Sequence, residues 1–224
     1  NLLQGLENFV RLEENNGRVM AVSKDERGWQ KASEKLLQGM RGREIAMIFQ
    51  NPRAALNPYI SVGEQIAEAV RLHRDIGGKA ARERALHWLE RVRIDTPRLR
   101  YNAYPSGMSG GMCQRAMIAM ALSSEPSLLI ADEPTTGLDA TIQSKIVDLL
   151  EELKAETGIS TLLISHDISV ITRLSDRVAV LYGGAVVEYG PARQVPARDD
   201  RQGALVRTLA AHRRRTPHRA GCHH

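Results

Sequence analysis

A serine followed by two glycines, Ser109-Gly110-Gly111, and an adjacent carboxylate pair, Asp132-Glu133, are the residues of this chain best suited to chemistry. Two neighbouring carboxylates at the end of an apolar run can divide their work. One joins the oxygen shell of a hard divalent cation, and the other polarises a water molecule. Ser-Gly-Gly at a helix start offers unpaired backbone N–H groups and the positive end of the helix dipole to an anion, and glycine lets a phosphate come close to the backbone. Gln50, Asp139 and Ser165-His166-Asp167 add further polar groups at turns and strand ends. Each has a bland reading on its own: a solvated strand end, a helix cap, a structural histidine, and for Gln50 nothing at all. Their order carries the argument, because a strand-ending Gln, a Ser-Gly-Gly helix start, an apolar strand into Asp-Glu, a Leu-Asp turn and a strand-ending His seldom co-occur by chance.

These residues need elements to hold them. "SLLIAD" (127–132) reads as a short buried strand, and Ile142, Ile146, Leu149, Leu150 and Leu153 mark one face of a helix that Gly158 ends. "STLLIS" (160–165) follows as a second strand. Strand, helix and strand at this spacing make a βαβ unit with parallel strands and a right-handed crossover. Chemistry in such sheets gathers at the C-terminal strand ends, where Asp132-Glu133 and Ser165-His166-Asp167 both fall. Upstream, Leu2, Leu6, Phe9 and Val10 recur at helical spacing, with Asn15-Asn16-Gly17 as a stop, so the chain is expected to open inside a helix. "RVMAV" then reads as a strand, 31–41 as a weak helix, and "EIAMIF" as a buried strand ending at Gln50. Two Asn-Pro steps make 51–60 a long exposed loop. Residues 62–93 are mostly helical with a break at Gly77-Gly78, and "RVAVLYGGAVVEYG" is a hairpin turned at Gly183-Gly184.

A length of 224 residues suits one α/β domain with a small inserted subdomain, and 42% hydrophobic with 25% charged residues is a globular composition. The net charge of +5 owes much to the C-terminal "AHRRRTPHRAGCHH", so no nucleic-acid stripe is read and no nucleic-acid partner is expected. Two distant cysteines, Cys113 and Cys222, indicate neither a disulfide framework nor a zinc or iron–sulfur site. No apolar run reaches the ~20 residues of a membrane span, and the N-terminus lacks the plan of a signal peptide.

From about Arg41 to Pro191 the chain resembles the ATP-binding subunits of ABC transporters, particularly the dipeptide, oligopeptide and nickel importer branch. "GREIAMIFQNPRAALNPYISVGEQI" looks like that branch's Q-loop region, "MSGGMCQR" like its signature motif, "LLIADEPTTGLD" like its Walker B and D-loop, and "LLISHD" like its H-loop. The signature departs from the wider family's Leu-Ser-Gly-Gly-Gln at Met108 and Met112, and Cys113 stands where Arg or another polar residue is usual. The resemblance implies an α/β, P-loop NTPase-like core with a parallel sheet and an inserted helical signature subdomain, truncated at its N-terminus. The divisions it implies are a partial core over 1–59, the helical subdomain over 60–125, the remaining core over 126–192 and a basic tail over 193–224. ATP and Mg²⁺ are the implied cofactors. Asp132 and Gln50 are expected at the metal, Glu133 as the base that activates water, His166 at the γ-phosphate, and Gln50 at metal and water together. Ser109, Gly110 and Gly111 face the nucleotide of a partner subunit, and Asp139 shapes the contact between the two. The implied partners are a second ATPase subunit, identical or not, and transmembrane permease subunits received by the Q-loop region, at the cytoplasmic face of the plasma membrane. Import of peptides or a related small solute, nickel included, is the implied function.

One element of the family is missing. No G-x-x-x-x-G-K-[ST] occurs in the 224 residues, and Gly77-Gly78-Lys79-Ala80 lacks both the earlier Gly and the hydroxyl. Together with the initial Asn1, this leads to the expectation that the gene product starts further upstream. The chain alone is then expected to be a poor ATPase. Two other readings stand beside the importer: a soluble ABC ATPase of DNA repair or translation, and a non-catalytic relic. The stretch "NPRAALNPYISVGEQI" weighs against the first. At the far end "DDRQGALVRTL" is a blurred equivalent of the branch's His-Pro-Tyr-Thr segment. His212, His218, His223 and His224 with Cys222 read as a flexible basic tail ahead of a metal site, and attraction to anionic lipid is open.

Overall fold

The computed structural model describes residues 10–15, 18–193 and 207–212, and the chain divides into two compact units between Arg41 and Gly42. The first unit pairs β1 (Val10–Asn15) with β2 (Arg18–Lys24) in antiparallel register, Val10 opposite Lys24 and Asn15 opposite Arg18. Helix α1 (Glu26–Met40) follows, opened by Asp25, whose carboxylate accepts from the Gly28 N–H at 3.0 Å. The helix expected at the start is therefore corrected over Val10–Asn15, while Leu2, Leu6 and Phe9 lie outside the described residues. Val10 and Leu12 alternate with Arg11 and Glu13, and an Asn-Gly step precedes a second, apolar run, Val19-Met20-Ala21-Val22. An Asn-Gly step between two short strand-like runs is a hairpin signal, which outweighs a few apolar coincidences at helical spacing.

The second unit begins with β3 (Ile45–Ile48) and a single helical turn, α2 (Pro52–Ala55). Four helices then come in succession: α3 (Val62–His73), α4 (Gly78–Arg91), α5 (Pro97–Tyr101) and α6 (Gly110–Ser123). After them run β4 (Leu128–Asp132), α7 (Ala140–Thr157), β5 (Ser160–Ser165), α8 (Ile168–Leu174), β6 (Arg177–Tyr182), β7 (Ala185–Pro191) and β8 (Arg207–His212). The sheet order is β3-β4-β5-β8-β6-β7. Strands β3, β4 and β5 are parallel, with Ile48 beside Ala131 and Asp132 beside Ile164. The βαβ unit is thus present, and its helix α7 starts on the Asp139 cap and stops at Gly158, whose φ of 61° is the left-handed C-cap glycine favours. The hairpin β6–β7 turns at Gly183 and Gly184 as its sequence indicates.

Helix α6 is buried almost all round, with Cys113, Ala116, Met117, Ile118, Ala119 and Leu122 in the core. Ile48, Leu129, Ala131 and Leu163 from the strands and Ile146, Leu149 and Leu153 from α7 belong to the same core. Each fully buried side chain of this size contributes about 1.5–3 kcal/mol.

Two expectations change here. Residues 51–60 are not a simple exposed loop: Asn51 caps α2 by accepting from the Ala54 N–H at 3.2 Å, and Leu56 is buried. The Gln65 side chain fixes the remainder, accepting from the Asn57 N–H and donating to the Asn57 and Ile60 carbonyls. Asn at the cap and Pro at the first helical position are enough to nucleate that turn. Within the expected basic tail, Arg207–His212 is a strand, antiparallel to both β5 and β6. The backbone edges of those two strands demand hydrogen-bond partners, and "RTLAAH" supplies them. His218, Cys222, His223 and His224 lie outside the described residues.

Candidate active site

Three parallel strands deliver three polar side chains to one edge. Strand β3 ends two residues before Gln50, β4 ends one residue before Glu133, and β5 ends one residue before His166. Gln50 Nε2 donates to Glu133 Oε2 at 2.9 Å, and His166 Nδ1 lies 3.5 Å from Glu133 Oε1. Thr136 Oγ1 donates to Oε2 as well, at 2.8 Å. The Glu133 side chain is only 14% exposed, whereas that of His166 is 67% exposed, so the carboxylate is held on the protein side and the imidazole stands toward solvent. Glu133 has a φ of 44°, a left-handed conformation that costs a non-glycine residue about 1–3 kcal/mol. Its N–H donates to the Ile164 carbonyl at 2.8 Å, and the Thr136 N–H returns to its own carbonyl. Arg93, Thr96 and Glu125 share this backbone region, so the bonds to the Glu133 side chain, and not its φ, distinguish it.

The Ser109 group is built differently. Ser109 Oγ caps α6 by accepting from the Met112 N–H at 3.2 Å, and Gly110 and Gly111 form the first turn. The amides of that turn have no intrahelical acceptor. Gly111 also has a packing duty, since a Cβ built there would lie 2.9 Å from Ile142 Cγ2 on α7, while one at Gly110 would meet nothing nearer than 3.9 Å. Asp139 caps α7 through a 3.0 Å bond from the Ile142 N–H, and is exposed. Asp132 closes β4 beside Ile164.

Two partners escape a reading of the sequence. Thr136 sits in "EPTTGLD" with nothing to distinguish it from Thr135, yet it alone bonds the Glu133 carboxylate. Asp167, following His166, caps α8 through Ser169 and Val170 and accepts from Gln143 Nε2 of α7 at 2.7 Å. Burial pushes the Asp167 carboxyl up, but the bonds from Ser169, Val170 and Gln143 outweigh it and hold it below its ordinary value. The charge that fixes the backbone behind His166 is therefore secure at neutral pH.

A partly shielded carboxylate held by an amide and a hydroxyl, with an imidazole 3.5 Å away, has the chemistry to polarise a water. Among the described residues no three His, Cys, Asp or Glu side chains converge into a protein-only metal cage. Mg²⁺ does not need one, because it binds through one or two carboxylates plus phosphate oxygens and waters. Asp132 at the strand end and the nearby Gln50 amide fit that donor chemistry. The arrangement defines a class: an α/β protein of P-loop NTPase type, with its polar groups at the C-terminal ends of adjacent parallel strands. A family model described as ABC transporter matches residues 10–136, more than half of the chain, and the chain belongs to that family. The dipeptide transport ATP-binding protein of Bacillus subtilis (strain 168) is 46% identical over 180 residues, covering 80% of this chain and 53% of that protein. A putative peptide import ATP-binding protein of Brucella melitensis biotype 1 is 48% identical over 159 residues, covering 71% of this chain and 48% of that one. The chain thus spans about half the length of the curated relatives it matches. Among solved structures, the dimeric post-hydrolysis state of the ATP-binding cassette MJ0796 bound to ADP and Pi is similar, with a TM-score of 0.63 at 30% identity, covering 71% of this chain and 67% of that one. No helix of the described residues is long and apolar enough to cross a membrane.

Proposed function

We propose that this chain is the ATP-hydrolysing subunit of an importer of peptides or a related small solute, working with a second ATPase subunit and with permease subunits at the cytoplasmic face of the membrane. The observation that carries the reading is the Glu133 carboxylate, held by Gln50 and Thr136 with His166 beside it. Phosphoanhydride hydrolysis asks mainly for charge neutralisation and a positioned water. Glu133 takes the proton of the attacking water, Gln50 keeps that carboxylate oriented, and His166 reaches toward the terminal phosphate. Asp132 would belong to the oxygen shell of Mg²⁺, which would supply neutralisation of phosphate charge. Ser109, Gly110 and Gly111 present the free amides of α6 to the nucleotide of the opposite subunit, with Asp139 at the seam. Peptide as the solute rests on the names of the relatives, and nickel on the branch resemblance alone. The Q-loop region, with "NPRAALNPYISVGEQI" (51–66) at its centre, is the proposed seat of the permease contact.

The test supplies what the 224 residues lack. Fused downstream of the P-loop segment of the Bacillus dipeptide-transport relative, the chain hydrolyses Mg-ATP. Glu133→Gln then lowers turnover by about a hundred-fold or more with ATP binding retained, the range expected for a lost general base. A chimera that binds ATP but never hydrolyses it, or a variant with parental turnover, overturns the reading.

A further inference from the structure

We infer that Gln114 is a positioning residue that holds the backbone of the Glu133 loop from inside α6. Gln114 is 2% exposed, one of the few buried polar side chains in a helix otherwise packed with apolar residues. Its Nε2 donates to the Pro134 carbonyl at 2.7 Å. The direction of that bond is not ambiguous: a backbone carbonyl oxygen only accepts, so the amide nitrogen must face it. Pro134 follows the one residue of this edge with a positive φ, Glu133. The carbonyl that Gln114 grips therefore belongs to the Pro134–Thr135 peptide, the second peptide plane after the Glu133 Cα, so the bond pins the chain one residue beyond the kink. Pro134 and Thr135 are buried, so this carbonyl has no water to turn to when the amide is gone.

A second bond makes the arrangement a closed ring. Arg53, three residues after Gln50, donates through Nη2 to the Met108 carbonyl at 3.0 Å, just ahead of the Ser109 cap. The path runs from Gln50 to Glu133, through Pro134 and Gln114 into α6, back along α6 to Met108 and through Arg53 to Gln50. The start of α6, the Glu133 loop and the exit of β3 are thus joined by three side-chain hydrogen bonds. On the proposed function, on which this meaning rests, a phosphate arriving at the N-terminus of α6 is felt at Glu133 through Gln114. The bond itself stands independently of that reading.

The experiment uses the 224-residue chain without nucleotide. Gln114→Met keeps the length and bulk of the side chain and removes the donor. Amide hydrogen exchange in peptides spanning residues 133–138 speeds up by about ten-fold or more, as expected for a lost bond to a buried carbonyl, while peptides from α7 and α4 exchange as before. In the unmodified chain the Gln114 side-chain amide exchanges slowly, and the Gln50 side-chain amide shifts in the NMR spectrum of Gln114→Met although nothing near Gln50 was changed. Should the variant fail to fold, slow exchange of the Gln114 amide in the unmodified chain still decides. Unchanged exchange at 133–138, a uniform rise over the whole chain, or a Gln114 amide exchanging like that of an exposed glutamine overturns the inference. None of these readouts requires ATP, so a failed hydrolysis test and a failed bond are told apart.

Discussion

Gly110 and Gly111 look alike in the sequence and are not alike in the fold. Both can admit a phosphate to the start of α6, but only Gly111 lies where a methyl group would press on Ile142, at 2.9 Å from Cγ2. That carbon branches directly from Cβ and cannot move without turning χ1, which is stiff for a β-branched residue in a helix. Gly111→Ala is therefore expected to destabilise the chain by about 1–3 kcal/mol, the usual penalty of overpacking. Gly110→Ala stays within roughly 0.5 kcal/mol, as surface changes usually do. Urea unfolding of the two variants checks this, and equal losses would mean that the approach of α6 to α7 is not what requires glycine. The same comparison separates two roles that a Ser-Gly-Gly motif otherwise merges, because Gly110→Ala can lose nucleotide contact without losing stability.

Helix α6 is anchored at its other end by charge. Arg74, following α3, donates from Nε and Nη2 to the Ser124 carbonyl, and Arg84 of α4 donates to the Ser123 carbonyl, so two guanidinium groups cover carbonyls at the end of α6. Both also bond Glu125, which Arg84 chiefly holds below the ordinary carboxylate range. A lowered carboxyl stabilises the fold above its unfolded-state pKa, near 4.5, and loses that contribution as pH falls through the folded value. Because Glu125 is more than half exposed, the effect should not exceed ~1 kcal/mol. Glu125→Gln should accordingly flatten stability between about pH 5 and pH 3 relative to the parent, measured as midpoint shifts in urea. An unchanged slope would show that the clamp works through backbone carbonyls alone. None of the three residues stands out in the sequence, which explains a wider pattern. The βαβ unit around α7 and the capped start of α6 were legible because periodicity, Asp139, Gly158 and Ser109 are local signals. The Glu125 clamp, the Gln114 bond and the strand Arg207–His212 join residues distant in sequence, and no local pattern encodes them. At the site, Gln50, Glu133 and His166 were legible by order along the chain, and Thr136 was not, because its hydroxyl becomes special only once Glu133 adopts φ > 0.

At the scale of the molecule the chain holds one half of two different things. It has a complete helix start at Ser109 and a complete carboxylate site at Glu133, but no G-x-x-x-x-G-K-[ST] among its 224 residues to wrap phosphates beside that carboxylate. On the proposed function, the helix start would serve the nucleotide of a partner subunit and Glu133 would serve its own. Paired with an intact homologous subunit, the chain should then stimulate the partner's ATPase through Ser109, Gly110 and Gly111 while its own Glu133 faces a poorly held nucleotide. Ser109→Arg and Glu133→Gln separate the two. A bulky guanidinium at the cap blocks the approach of phosphate to the free amides of α6, so stimulation should fall by about ten-fold or more, the equivalent of one lost charge-assisted contact. Glu133→Gln keeps the size of the side chain and touches only the chain's own site, so stimulation should stay within about two-fold of the parent. Thermal unfolding of both variants guards against a trivial loss of fold, since Ser109→Arg also removes an N-cap worth ~1 kcal/mol. The measurement is ATP turnover of the mixed dimer at saturating chain. Equal losses from the two variants would place both groups on one nucleotide, and no stimulation by the parent chain would leave a subunit that contributes nothing in trans.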